Sequence, residues 1–295
     1  MSDLIYYFSG SGNSLKVAKE ISKEINGNLI RILKKADEIS FNENINSLGL
    51  IFPVYHATFG ESGIPHIVED FISKLKNINS VYIYAVCTHS GFPGTTIENL
   101  SRLISKRHGT LSVGYYIKMS IPYSTLDKIK HLLFKEELKT NQLFEKKMNK
   151  LQEDLNKKIK VIVDDILKRK KAKLETTGRI FNILYTPLYI LSKSMAKSYY
   201  KKLSNKNFNN FSKLTLYADN SFKTNQKCNG CGICVKVCPV DNISLMNSKP
   251  VWHNNCENCF ACYQWCPSNA LEGEIVQFQR KYHFDDITVK DMIRK

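Results

Sequence analysis

Residues 228–267 read CNGCGICVKVCPVDNISLMNSKPVWHNNCENCFACYQWCP, and this stretch decides how the C-terminal part of the chain folds. It holds eight of the nine cysteines in two copies of one spacing, CNGCGICVKVCP and CENCFACYQWCP. In each copy three cysteines stand at intervals of three residues, a fourth follows after three intervening residues, and a proline comes next. Because the spacing occurs twice, we interpret the stretch as two related halves of one small unit.

Three evenly spaced cysteines in a tight loop suit a cubane iron–sulfur cluster, which needs four thiolates at the corners of a tetrahedron. Two alternatives are zinc and disulfides. Structural zinc sites close with four ligands and leave the third evenly spaced cysteine of each half without a role. Disulfides are unexpected because the opening residues, MSDLIYYFSG, lack the features of a secretory signal. The spacing therefore favours two [4Fe-4S] clusters.

The two runs resemble the C-x2-C-x2-C-x3-C-P runs of two-cluster bacterial ferredoxins, in which the fourth cysteine of each run ligates the cluster of the other run. The resemblance implies a cluster I held by Cys228, Cys231, Cys234 and Cys266, and a cluster II held by Cys256, Cys259, Cys262 and Cys238. Between the halves, residues 244–255 predict two short strands joined by a turn at 247–249. Trp252 packs either over a cluster or in the core.

A second motif lies at the N-terminus, where an apolar run from Leu4 to Phe8 is followed by SGSGNS and then by a helical pattern. Hydroxyls, glycine amides and a helix N-terminus together suit a phosphate group. The loop matches neither G-x-G-x-x-G nor G-x-x-x-x-G-K-[ST]. It resembles the flavodoxin phosphate loop, [ST]-x-[ST]-G-[NT]-[ST], which implies that the FMN phosphate is bound by Ser9, Gly10, Ser11, Gly12, Asn13 and Ser14. The alternative is a serine-rich turn that only caps a helix.

The first half of the chain alternates between predicted strands and helices. Further strands are predicted at 29–33, 47–53, 81–87 and 114–119, and helices at 15–25, 64–75 and 95–106. This alternation predicts an α/β fold with helices on both faces of a parallel sheet. The resemblance specifies a flavodoxin-like, doubly wound, five-stranded sheet, followed by a small α+β two-cluster ferredoxin domain.

Ligands of such sheets lie outside the carboxyl ends of the strands. In flavodoxin-like proteins the loops after the third and fourth strands flank the isoalloxazine ring. The resemblance therefore implies flavin contacts from Pro53, Val54, Tyr55, Thr88, Ser90, Gly91 and Gly94. Phe59 and Phe92 are candidates to stack on the ring, although the same loops could instead cover the hydrophobic edge of the sheet.

Three other residues near these loops have side chains that could take part in redox or proton-transfer chemistry. Cys87 ends the fourth predicted strand and could act in redox chemistry, but a lone cysteine there is more often a small buried hydrophobe. His56 and His89 could donate a hydrogen bond or a proton to the flavin, or lie in solvent. We assign no catalytic residue.

We predict four segments: an FMN-binding domain at 1–175, a basic helical connector at 176–212, the ferredoxin domain at 213–273 and a tail at 274–295. Apolar residues at three- and four-residue intervals predict a sheet-covering helix over 148–166. The run at 179–203, RIFNILYTPLYILSKSMAKSYYKKL, is too interrupted by polar residues and proline to span a membrane. It either packs between the domains, which we favour, or lies on a membrane surface.

The formal net charge is +16, which bound cofactors would lower to about +10, since each cluster and the flavin phosphate carry about −2. A basic surface favours acidic redox proteins as partners, ahead of nucleic acid or anionic lipid. Cluster thiolates also need a reducing, oxygen-poor setting, so we expect the cytoplasm of an anaerobe.

Taken whole, the chain resembles the flavodoxin and ferredoxin fusion proteins of anaerobes. A cubane passes one electron, whereas a flavin takes or gives one or two. The resemblance therefore implies an electron-transfer protein that adapts one-electron to two-electron chemistry. The alternatives are a reductase of a small molecule such as a quinone or nitro compound, and a redox sensor that signals through the basic connector.

Overall fold

The structure is a computed structural model that describes residues 2–34, 39–41, 45–119, 141–277, 281 and 283–294. Parts of the predicted tail, residues 278–280, 282 and 295, lie outside the described residues. Within the described part of the chain, no helix is both long enough and apolar enough to cross a membrane.

A parallel sheet forms the centre of the N-terminal half. Its strands are β1 (Ser2–Tyr7), β2 (Asn28–Arg31), β4 (Ile45–Pro53), β6 (Tyr82–His89), β7 (Leu111–Lys118) and β8 (Lys173–Leu174). They lie in the order β2-β1-β4-β6-β7-β8, and the short strands β3 (Ile39–Ser40) and β5 (Leu75–Lys76) pair separately. Leaving β8 aside, this is the flavodoxin order 2-1-3-4-5. The prediction of a flavodoxin-like, doubly wound sheet is confirmed.

The predicted number of strands was wrong, because the described residues form six strands in this sheet rather than five. The sixth, β8, pairs in parallel with β7 through Val113 and Gly114. It is only two residues long, so it has no alternating pattern that could reveal it in the sequence. The side chain of Asp165, which is 1% exposed, anchors this edge by pairing with Lys170 and Lys173 and accepting a hydrogen bond from Tyr115.

Replacing Asp165 with asparagine should lower the free energy of unfolding by about 1–3 kcal/mol, because it removes one partner of a buried ion pair whose lysines are partly exposed. Burial alone would raise the pKa of Asp165, but hydrogen bonds from Lys170, Lys173 and Tyr115 hold it well below its usual value. The stabilisation is therefore present above the unfolded pKa of about 4 and is lost as the pH falls. Urea unfolding at pH 7, 5 and 3 measures the free energy of unfolding, and the difference between the variant and wild type should become smaller as the pH falls. The control is Asp70→Asn, which removes the carboxylate of an exposed pair with Lys74, and an equal effect there would contradict the assignment.

Helices cover both faces of the sheet. On one face α1 (Asn13–Ile25) and α4 (Asn141–Leu167) bury an apolar layer against alternate residues of the strands. On the other face α2 (His66–Ser73) and α3 (Thr96–Ser105) do the same. Neighbouring residues of β4 follow this alternation, since Leu50 and Phe52 point to the α2 and α3 side and Ile51 to the α1 side.

After the sheet, the described part of the chain has one long helix and then short elements around the cysteines. They are α5 (Arg179–Ser204), α6 (Phe211–Leu216), β9 (Phe222–Thr224), α7 (Ile233–Val237), β10 (Ile243–Met246), β11 (Lys249–Trp252), α8 (Ala261–Gln264), β12 (Leu271–Gly273) and α9 (Val289–Met292). The predicted hairpin is confirmed as β10 and β11, but its turn is one residue shorter than predicted because Lys249 already belongs to β11. The two turn residues, Asn247 and Ser248, both have positive φ, as a type I′ hairpin turn requires.

The tail runs back over the N-terminal domain. Asp286 pairs with Lys16 of α1 at 2.7 Å, and Asp291 pairs with Lys19 at 2.7 Å. The guanidinium of Arg31, at the end of β2, donates to the carbonyl of Met292. The tail therefore links the cysteine-rich part of the chain to α1 and β2.

Candidate functional site

The serine-rich loop lies at the carboxyl edge of the sheet, between β1 and α1. The hydroxyl of Ser9 accepts a hydrogen bond from the Gly12 amide at 3.1 Å, and Gly12 has φ = 99°, a conformation that favours glycine. The buried hydroxyls of Ser14 and Thr88 are 2.7 Å apart, which ties this loop to the loop after β6. No acidic residue stands in the first turn of α1. Hydroxyls at a helix N-terminus whose first turn carries no carboxylate fit a phosphate group.

The two loops predicted to flank the flavin ring lie side by side next to the phosphate loop. Val54 donates to the carbonyl of Thr88 at 2.7 Å, and Tyr55 donates to Gly63 at 3.0 Å. Gly94 has positive φ and lies against Ala57 of the first loop. A side-chain carbon at Gly91 would meet no atom within 4 Å, so this loop leaves open space beside it. The assignment of Pro53, Val54, Tyr55, Thr88, Ser90, Gly91 and Gly94 to a flavin ring stays a prediction.

Phe59 and His56 belong to an aromatic cluster that joins the first of these loops to the connector. Phe59 lies 6.3 Å from His56 and 5.9 Å from Phe211, and His56 lies 5.6 Å from Tyr200 (ring centroids). Tyr200 is thus a connector aromatic that is buried at the junction of the two parts of the chain. Burial lowers the pKa of His56 to about 4, so this imidazole is neutral at pH 7.

Burial also shifts the pKa of the other two candidates near the flavin loops, His89 and Cys87. His89 shares a hydrogen bond of 2.6 Å with the Gly91 carbonyl, and burial lowers the pKa of its ring. Cys87 is fully buried in β6, and burial raises the pKa of its thiol. A protonated thiol without solvent access is a poor nucleophile and electron carrier, which favours the packing role for Cys87.

The eight remaining cysteines line two neighbouring cavities, and Cys262 lines both. The first cavity is lined by Cys228, Cys231, Cys234, Cys262 and Cys266. The second is lined by Cys238, Cys256, Cys259 and Cys262. Each cavity thus combines three cysteines of one run with the fourth cysteine of the other, which is the arrangement implied by the ferredoxin resemblance. Among the described residues, no three His, Cys, Asp or Glu side chains converge on a point that could hold a single metal ion.

The two cavities have related surroundings. The sulfur of Cys238 accepts from the amide of Asn242 at 3.4 Å, and the sulfur of Cys266 accepts from the amide of Ala270 at 3.3 Å. Asp241, in the first of these turns, has φ = 55°, and its counterpart Asn269 has φ = 50°. These amides favour a thiolate at the fourth cysteine of each run.

Two arginines lie near the cysteines of the second cavity. The thiol of Cys238 lies in the field of Arg31 and Arg294, and the Nε atoms of both arginines are buried without a hydrogen-bond partner. Trp252 lines this cavity, and its indole N–H is buried without a hydrogen-bond partner. Burial raises the pKa of the Cys259 thiol to about 12, so clustered thiolates here need the positive charge of bound iron. The residues present therefore fit an anionic cluster whose iron neutralises the thiolates.

The second cavity adjoins the phosphate loop. A side-chain carbon at Gly10 would overlap the carbonyl of Cys259 and lie 2.8 Å from its Cβ. The indole of Trp265 donates to the Gly10 carbonyl at 3.0 Å, and the ring of His283 stacks on Trp265 with centroids 3.8 Å apart. The loop expected to hold FMN and the loop expected to hold cluster II are thus in van der Waals contact.

Sequence reasoning did not find Arg31, Trp265, His283 or Arg294. None of them belongs to the cysteine or serine motifs, and each acts on a partner that is remote in sequence. Only Trp265 could have been noticed from the sequence. It stands directly before the last cysteine, where the first copy of the repeat has the smaller Val237.

Comparisons with known proteins match parts of the chain. Residues 221–269 match the family model of the 4Fe-4S dicluster domain. A comparison with curated proteins gives no match. The N-terminal part is similar in fold to solved flavoproteins that it resembles at low identity. A Streptococcus pneumonia TIGR4 flavodoxin is 15% identical with a TM-score of 0.33, covering 47% of this chain and 97% of that one.

Two further solved structures are similar at the same level. The flavodoxin of Megasphaera elsdenii is 18% identical with a TM-score of 0.31, covering 41% of this chain and 88% of that one. An azoreductase from Bacillus anthracis str. Sterne is 10% identical with a TM-score of 0.34, covering 56% of this chain and 100% of that one. At these scores the similarity carries no argument about chemistry, and the flavodoxin-like fold rests on the strand order.

Proposed function

We propose that this chain, in which a flavodoxin-like domain is joined to a 4Fe-4S dicluster domain, is an electron-transfer protein that relays electrons between two [4Fe-4S] clusters and FMN. When bound, the clusters would pass single electrons and the flavin would collect or release them one or two at a time. Ser9 to Ser14 would hold the FMN phosphate, and the two cysteine sets would hold clusters I and II. The reducing interior of an anaerobe suits this function, because it protects cluster thiolates.

The contact between Gly10 and Cys259 carries this proposal. It joins the phosphate loop directly to a cluster II ligand, and the bond from Trp265 to the Gly10 carbonyl fixes their separation. His283 holds the indole in place, since its ring stacks on Trp265 and its two nitrogens lie 3.3 Å from the Ser11 carbonyl and 3.1 Å from the Gln264 carbonyl. A rigid, water-poor junction of this kind keeps donor and acceptor at one distance.

The burial of the two cysteine sets supports an order for the relay. In the cluster II set Cys238 and Cys262 are buried and Cys259 contacts Gly10, whereas Cys231 of the cluster I set is exposed to solvent. Electrons would therefore enter or leave at cluster I and reach the flavin through cluster II. Arg31 and Arg294 would stabilise the added charge when cluster II is reduced, because a nearby cation favours the more negative state.

A second candidate function, reduction of a small molecule such as a quinone or nitro compound, is favoured by one observation. A cavity of about 160 Å³ opens between the loop after β4 and the dicluster domain, lined by Tyr55, His56, His66, Cys256, Glu257 and Asn258 among others. It is several water molecules in size. The Oδ1 atom of Asn258 is buried there without a hydrogen-bond partner, so a ligand that donates a hydrogen bond could pair with it.

The test is anaerobic purification, measurement of iron, sulfide and flavin, and then titration with dithionite followed by visible and EPR spectroscopy. We expect about eight irons and about one FMN per chain, with electrons spreading from the clusters to the flavin. Zinc in place of iron, or a chain that retains no flavin, would contradict the relay. Saturable oxidation of the reduced protein by a quinone would favour the reductase over the carrier.

A further inference from the structure

The loop that holds the cluster I cysteines lies against the β10–β11 hairpin, and the two form one surface. A side-chain carbon at Gly230 would lie 2.8 Å from the Ser248 carbonyl, and one at Gly232 would lie 3.6 Å from Leu245. Lys249 donates to the carbonyl of Cys228 at 2.9 Å. We call residues 227–236 and 245–249 the cluster I face.

This face has an exposed apolar centre beside an exposed ligand. Cys231 is exposed, and the side chains of Leu245 and Met246 are 43% and 63% exposed. Exposed large apolar side chains next to a redox centre are typical of a contact surface, because a partner that covers them also approaches the centre.

Lysines surround this centre without carboxylates among them. Lys227, Lys236 and Lys249 are exposed, and among the described residues none of the three is in an ion pair. Another lysine, Lys281, donates to the carbonyl of Cys266, which lines the first cavity, at 3.3 Å. Between residues 225 and 260 the carboxylates are Asp241, which pairs with Arg294, and Glu257, which is buried. Outside that range, the exposed Glu272 accepts a hydrogen bond from Asn225 at 2.6 Å. The residues that form the face, 227–236 and 245–249, therefore carry three lysines and no carboxylate.

We propose that the cluster I face docks an acidic electron-carrier protein, which exchanges electrons with the chain through cluster I. The proposal rests on the proposed function, because it names the partner of the same relay. Complementary charge would steer an acidic carrier to the one surface where a cluster ligand is exposed. A nucleic acid is disfavoured, since no exposed aromatic side chain lies on this face for base stacking.

The test uses the holoprotein and an acidic plant-type [2Fe-2S] ferredoxin as the probe. The face variant is Lys227→Gln/Lys236→Gln/Lys249→Gln. Its matched control is Lys150→Gln/Lys157→Gln/Lys160→Gln, which removes the same charge from exposed positions of α4. Stopped-flow mixing measures the second-order rate of reduction by the reduced probe over a range of salt, and calorimetry measures binding of the oxidised probe.

At low salt we expect the face variant to react about tenfold or more slowly than wild type, to bind the probe more weakly and to lose most of its salt dependence. The control triple should stay within about twofold of wild type, because remote charges are screened. Reduction of basic cytochrome c by the reduced holoprotein should not slow in the face variant.

Equal effects of the two triples would overturn the proposal. So would a face variant that loses binding to vesicles of phosphatidylserine and phosphatidylcholine while reacting normally with the ferredoxin, since the occupant would then be a lipid surface. Dithionite titration of wild type and of each variant measures electron transfer from the clusters to the flavin without a protein partner. It therefore distinguishes a failed relay from a failed docking site.

Discussion

Cys259→Ala should lose cluster II and leave the flavin reduced only slowly, whereas Cys231→Ala should lose cluster I and keep transfer from cluster II to the flavin. The reason is position, since Cys259 contacts the phosphate loop and Cys231 faces solvent. In both variants iron should fall from about eight to about four per chain. For Cys259→Ala we expect flavin reduction by dithionite to slow by about a hundredfold, the size that lost positioning has in enzyme active sites.

The measurement is stopped-flow reduction with dithionite, followed at flavin and cluster wavelengths, with iron and flavin measured on the same samples. Cys87→Ala is the matched control, because it makes the same substitution at a fully buried cysteine that lines neither cavity. It should keep all its iron. Equal rates of flavin reduction in the Cys231 and Cys259 variants would reject the order of the relay, even if both lost iron as expected.

Gly10→Val should separate the phosphate loop from cluster II. Its side chain would overlap the backbone of Cys259, which cannot move as a flexible side-chain end would. Overpacking at such a contact costs about 1–3 kcal/mol, enough to shift the domains apart without unfolding either. We expect transfer from cluster II to the flavin to slow by roughly tenfold to a hundredfold, because displacements of about 1 Å have effects of this size.

Three further variants distinguish weaker FMN binding, a lost hydrogen bond and backbone strain as causes of slower transfer from cluster II to the flavin. Ser9→Ala should weaken FMN binding without disturbing the domain contact, since its hydroxyl bonds within the loop. Trp265→Phe should slow transfer less than Gly10→Val, because it removes one hydrogen bond and adds no overlap. Gly60→Ala tests backbone strain alone, since Gly60 has positive φ but no atom within 4 Å of an added carbon. If Gly10→Val, saturated with FMN, transferred electrons at the wild-type rate, the contact would have no role in the relay.

Local spacing determined the parts of this protein. The doubled cysteine run predicted a dicluster domain, which the family match at residues 221–269 bears out. The alternation of strands and helices predicted the doubly wound sheet, which the strand order confirms. The hairpin turn was also predicted, at 247–249, although the structure limits it to Asn247 and Ser248, which have positive φ. All these features depend on residues that are neighbours in the chain.

Only the tertiary structure decided how the parts meet. The sixth strand is two residues long, and it is held by Asp165 and by pairing with β7 rather than by a pattern of its own. The bond between Trp265 and Gly10 joins residues 255 positions apart, and Arg31 reaches Met292 across 261 positions. Such contacts arise when two folded surfaces are packed together, so no local spacing encodes them. The sequence by itself thus determined which cofactor sites to expect, while packing decided which cysteine set lies beside the phosphate loop and which faces solvent.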